Sequence, residues 1–112
     1  MEGQPVNSEV PGPVSAALNA ANAGDTERFL DAFATDGSVN DWGRVFTGHV
    51  AIRDWCNREF IGVRVSLEVS EAVTSDDVTT VTAQVGGSGF NGPSHFAFTV
   101  GGGRIHLMRI TG

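Results

Sequence analysis

The stretch from Gly37 to Phe60, GSVNDWGRVFTGHVAIRDWCNREF, constrains this chain more than any other, because its apolar spacing changes period part-way. Ser38 to Trp42 alternates, with Val39 and Asp41 on one face and Asn40 and Trp42 on the other, as a strand does. Gly43-Arg44 suits a two-residue type II′ turn with glycine first, and Val45 to Thr47 returns as the partner strand. After Gly48 the period becomes helical: Ile52, Trp55, Cys56 and Phe60 share one side, while Arg53, Asp54, Asn57 and Arg58 cover the other. A short hairpin running straight into an amphipathic helix leaves a carboxylate, Asp41, at a strand end near two tryptophans. Any pocket in this protein has one wall here.

Two short helices precede the stretch. Pro13 suits a first helical turn, where a missing N–H costs nothing, and Val14, Ala17, Leu18 and Ala21 form one helical face. Gly24 predicts the left-handed stop and Asp25 the cap of a second helix, whose buried stripe is Phe29, Leu30 and Phe33. Thr35-Asp36-Gly37 breaks that pattern. Downstream the chain reads as strands. Val63, Val65, Leu67 and Val69 alternate with polar residues; Ser75-Asp76-Asp77 supplies a turn; Val78 to Val85 is rich in β-branched residues. A glycine-rich link carrying Phe90 then leads to a last hairpin, His95–Val100 and Arg104–Ile110 around three glycines. Three helices with a mostly antiparallel sheet predict an α+β fold, and a curved sheet wrapped over helices leaves an apolar hollow.

At 112 residues the chain is one domain, read as a flexible lead over 1–12 and a single domain over 13–112. The opening MEGQPVNSEVPGP has neither the basic start nor the apolar core of a signal peptide, so the expected compartment is the cytoplasm. No apolar run approaches a membrane span. Thirteen carboxylates face seven arginines with no lysine, a net charge of −6 that argues against nucleic acid and against an anionic membrane surface. The single cysteine excludes an internal disulfide. His49, His95 and His106 lie on separate elements without ligand spacing, so no metal site is expected.

The segments ALNAANAGDTERFLDAFATDGSVND, GRVFTGHVAIRDW and SHFAFTVGGGRIHLMRI resemble the nuclear-transport-factor-2-like superfamily, in particular its SnoaL-like and ketosteroid-isomerase-like members, over nearly everything from Val14 onward. The resemblance implies a cone: a strongly bent sheet closed at its narrow end, with helices at the open mouth. It implies function in residues pointing into the cone. It also implies a homodimer through the convex outer face of the sheet, where Ile105, Leu107 and Arg109 would alternate outward.

By the same resemblance Asp41 matches the general base of ketosteroid isomerases. The rest of that machinery does not carry over. Ala17 stands where the catalytic tyrosine belongs, the chain has no tyrosine, and Ser94 replaces the second, acidic oxyanion donor. Steroid isomerisation by that route is therefore not expected. The implied reaction class is a cofactor-independent isomerisation, cyclisation or elimination alpha to a carbonyl, on a hydrophobic polyketide- or steroid-like substrate. Two alternatives stay open: a non-catalytic carrier of such a hydrophobic small molecule, and a dimeric scaffold whose cone is filled by its own side chains.

Each candidate has a plainer reading beside the functional one. Asp41 is either a base or a carboxylate that pairs with an arginine such as Arg53. Trp55 is placed as cavity lining, Trp42 at the rim or an interface. His106 is in phase with Met108 and Ile110, which by the resemblance face the cavity; Met108 is thus expected to line the ligand site, and His106 either meets the ligand there or is a hydrogen-bonded core histidine. Ser94 can donate to a ligand carbonyl, and Phe33 and Phe96 are lining or core. Arg44 is read as a solvated turn residue, His49 as an exposed first-turn residue, and Cys56 as inert.

Overall fold

The computed structural model describes residues 10–112. The expected lead over 1–12 falls largely outside them; Val10 packs against the core and Gly12 already opens the first helix. Helix α1, Gly12–Ala23, buries Val14, Ala17, Ala20 and Ala21 and stops at Gly24, whose φ of 73° is the left-handed conformation glycine adopts without steric cost. Helix α2, Thr26–Asp31, is capped by Asp25, which accepts from the Arg28 N–H at 3.1 Å.

Helix α2 has only six residues, so Phe33 is not on it. Phe33 instead begins strand β1, Phe33–Asp41, pairing with Ile105 of β6, Arg104–Thr111. The expected break at Thr35-Asp36-Gly37 is an irregularity inside β1: the register shifts between Phe33 and Ser38. Gly37 is needed there, since a Cβ would sit 2.9 Å from the Ile105 carbonyl oxygen.

The hairpin turn also lies one residue earlier than expected. Asp41 pairs with Arg44, so the turn is Trp42-Gly43, with φ of 55° and 93°, the signature of a type I′ turn. Asn40 Oδ1 accepts the Gly43 N–H at 2.8 Å and holds the turn closed. Arg44 is thereby drawn into strand β2, Arg44–Thr47. Helix α3, His49–Glu59, follows and buries Ile52, Trp55 and Cys56. His49 is half-buried rather than exposed, with Nε2 3.1 Å from the Phe33 carbonyl.

Val63 does not start a strand. Ile61–Val63 is a 3-10 turn closed by Arg64 in the left-handed region, and β3 runs over Ser66–Ser75. Strands β4, Val78–Gly86, and β5, Gly92–Gly101, complete a curled sheet of order β2-β1-β6-β5-β4-β3. Every pairing is antiparallel except β1 with β6, which is parallel. The chain thus has the expected α+β form, three helices on one mostly antiparallel sheet.

The helices cover the inner face of the sheet. Phe29, Phe33, Trp55, Phe96, Phe98 and Met108 are fully buried there, each burial worth about 1.5–3 kcal/mol. The phase of β6 departs from simple alternation. Ile105 pairs with Val100 and Leu107 with Thr99, leaving His106 as the extra residue of a bulge. Ile105 is therefore in the core and not on the outer face, whereas Arg109 is exposed. Among the described residues no helix is long and apolar enough to cross a membrane.

Candidate active site

At one end of the sheet, the last residues of β1, β6 and β4 meet the first residues of β5, as the register of these strands requires. The last turn of α3 and the 3-10 turn close over them. Between lies a cavity of about 380 Å³. Its apolar wall is Trp55, Phe60, Val63, Val65, Val85, Phe96 and Ile110; its polar lining is Asp41, Arg44, Arg58, Glu59 and Ser94; Trp42 and Phe90 also line it. The volume falls in the range of small-molecule sites.

Asp41 is 15% exposed and strongly oriented. Its Oδ2 accepts from Trp55 Nε1 at 3.0 Å and from Arg44 Nη2 at 2.6 Å. Arg44 also forks onto Glu59, Nη1 to Oε2 at 2.9 Å and Nη2 to Oε1 at 2.6 Å. One guanidinium thus ties the β1–β2 hairpin to the end of α3, while its plane lies 5.7 Å from the Phe46 ring centroid. No donor among the described residues reaches Asp41 Oδ1. Asp41 therefore presents one fixed oxygen and one open one.

The Arg44 hydrogen bonds hold the Glu59 carboxyl below its ordinary value, and Glu59 in turn, more than Asp41, holds the Arg44 guanidinium above its own. A carboxylate depressed in the folded state stabilises fully above its unfolded value near 4.5, and that contribution disappears as pH falls through the folded value. Acidification through the depressed folded value of Glu59 is thus expected to release Arg44 from Glu59 and loosen the hairpin from α3. The check is an acid titration of the Trp55 indole N–H resonance in wild type and Glu59→Gln; a low-pH movement identical in both would refute the link.

Ser94 is the second polar feature. It is 2% exposed, and among the described residues its hydroxyl has no hydrogen-bond partner. Buried hydroxyls are ordinarily satisfied, so an orphan on a cavity wall marks a place for a ligand atom or a water. Asp41 aligns with Ile110 and Ile110 with Phe96, two residues from Ser94 on the same face. Two strand spacings and two residues put the Asp41 and Ser94 Cα atoms roughly 12 Å apart in a flat sheet, and closer in a curled one.

No protein-family model matches this sequence, and no curated protein matches it either. Solved structures do. A provisionally assigned polyketide cyclase from Sinorhizobium meliloti superposes with a TM-score of 0.82 at 27% identity, covering 94% of this chain and 98% of that one. An NTF2-like protein of unknown function from Cytophaga hutchinsonii gives 0.78 at 10% identity, over 99% and 93% of the two chains. A protein of ketosteroid-isomerase-like fold from Catenulispora acidiphila, in complex with trimethylamine, gives 0.77 at 22%, over 92% and 86%.

This is the nuclear-transport-factor-2-like fold.

Within the nuclear-transport-factor-2-like cone, the structure brings Asp41, Trp55, Ser94 and Phe96 together on one cavity. It separates the other three expected ligand-binding residues. Phe33 and Met108 are fully buried in the core away from the cavity. His106 is exposed, because the bulge turns it out of phase with Met108, and its Nε2 lies 3.0 Å from the Gly101 carbonyl. The arginine beside Asp41 is Arg44 and not Arg53, which pairs with Glu27. Arg44 is therefore not a free turn residue. Cys56 is buried, and burial pushes its thiol up, away from the reactive thiolate.

Sequence reasoning missed Arg44, Glu59 and Phe90. A type I′ reading of Trp42-Gly43 would have set Arg44 opposite Asp41, where unlike charges attract. A lone phenylalanine in a loop otherwise made of Gly, Ser and Asn was the signal for Phe90.

Proposed function

We propose that this cone binds a hydrophobic, carbonyl-bearing small molecule of polyketide-like chemistry, and that Asp41 takes a proton from the carbon beside the carbonyl. The observation that carries this reading is Asp41 itself: one oxygen is locked by Trp55 and Arg44, the other has no donor among the described residues, and the side chain lines an apolar cavity. A fixed carboxylate in an enclosed site is positioned to accept a proton without reorganising. The Ser94 hydroxyl, which has no partner among the described residues, supplies a donor to the ligand oxygen where charge would develop, a weaker donor than an acid. The polyketide cyclase assignment of the Sinorhizobium neighbour supports the substrate class. Isomerisation or ring closure would follow from the same proton transfer and needs no cofactor.

The test is a thermal-shift screen of polycyclic ketones and aromatic polyketides on wild type and Asp41→Asn, followed by turnover of the hits. A ligand of the native state raises the melting temperature with occupancy. The expected result is a hit bound by both forms but turned over about 10²–10⁴-fold more slowly by Asp41→Asn. Hits bound equally by both and turned over by neither would make the cone a carrier site. No binding at all would overturn the reading.

A further inference from the structure

Two large rings stand in water at this cavity: Trp42 is 61% exposed and Phe90 55%, and both belong to its lining. Trp42 is costly where it sits. Its φ of 55° is a conformation that bulky side chains rarely adopt, in a turn position that favours asparagine or glycine. Strain of this kind collects at functional sites, and burial of the ring does not explain it.

The seats of the two rings are built from glycine. A Cβ on Gly112 would fall 2.4 Å from the Trp42 ring, and one on Gly92 would fall 3.2 Å from the Phe90 ring. In the β5–β6 register His95 pairs with Thr111, so Ser94 and Gly112 are the chain neighbours of that terminal pair. Gly92 lies two residues from Ser94 on the same face of β5. The buried Ser94 hydroxyl, without a hydrogen-bond partner among the described residues, is therefore near both ring seats in the strand order.

We propose that Trp42 and Phe90 are specificity-determining residues that grip a planar, conjugated ring system at the cavity mouth while an oxygen of that ligand bonds to Ser94. The inference rests on the ligand-binding reading above and narrows it to flat aromatic ketones over saturated ones. Stacking on two ring faces selects for flatness and polarisability, which a saturated ring of the same outline lacks. Both side chains are exposed, so their removal leaves the core intact.

The experiment titrates the full chain with 2-acetylnaphthalene and with 2-acetyldecalin, its saturated counterpart, following the two indole N–H resonances of the protein. Wild type is expected to bind the planar ketone about tenfold more tightly, with Trp42→Ala and Phe90→Ala each removing most of that advantage while leaving 2-acetyldecalin within twofold. Ser94→Ala is expected to weaken both ketones. If 2-acetyldecalin binds as well as the planar ketone, or if Trp42→Ala and Phe90→Ala change neither or both alike, the grip is refuted while the cavity reading stands. If neither ketone binds wild type, both fall together.

Discussion

Replacing Trp55 with alanine is expected to lower the melting temperature more than any other single change in the cavity wall. The indole is 1% exposed and stacks on Phe60 at 4.9 Å and 24°, with the Phe46 ring centroid 6.2 Å away. Truncating a buried tryptophan costs about 3–5 kcal/mol through lost transfer energy and the hole left behind. For a domain of this size that corresponds to roughly 10–20 °C in Tm. Trp55→Phe separates packing from hydrogen bonding. It keeps an aromatic ring but removes the Nε1–H that Asp41 Oδ2 accepts, a loss of about 1–3 kcal/mol where the carboxylate is left short of a donor. Calorimetric melting of both variants decides it; an Ala variant within 3 °C of wild type would show that the wall collapses to fill the hole.

Gly62→Ala is the second large effect, and it acts through the backbone. The 3-10 turn folds so tightly back on α3 that a Cβ at Gly62 would lie 1.6 Å from the Asn57 carbonyl oxygen and 2.5 Å from its carbon. Neither atom can move without opening the last turn of the helix, so a loss on the order of 3 kcal/mol or more is expected. The same turn carries Val63 into the cavity lining, with Phe60 just before it and Val65 just after. Ligand affinity should fall with stability. Gly12→Ala is the control: it starts α1 and a Cβ there meets nothing within 4 Å, so it is expected to be neutral or slightly stabilising. Equal chemical melts for the two variants would sink the argument.

The contrast between Phe33 and Trp55 shows where sequence reading stopped. Spacing alone predicts a helical face for each. Trp55 stands in the middle of an eleven-residue helix, where period 3.6 is sampled several times, and it lies where expected. Phe33 follows a six-residue helix, too short for its own period to bind the next residue to it, and pairing with Ile105 draws it into the sheet. His106 lies out of phase with Met108 for a related reason. Alternation assumes an unbroken ladder, and one extra residue between Ile105 and Leu107 reverses the face of everything before it.

Local patterning therefore determined the α+β class and the order of helices and strands, because periodicity, caps and turn residues are short-range properties, while the family resemblance singled out Asp41, Trp55 and Ser94 among the residues so placed. The tertiary structure alone decided which of these meet. The parallel pairing of β1 with β6 brings Asp41 to the end of the sheet where β5 begins. The type I′ turn at Trp42-Gly43 sets Arg44 opposite Asp41, and the end of α3 delivers Glu59 to the same guanidinium. Contacts between residues far apart in the chain depend on register and on bulges, which are settled by the packing of the whole sheet and not by any window of the sequence.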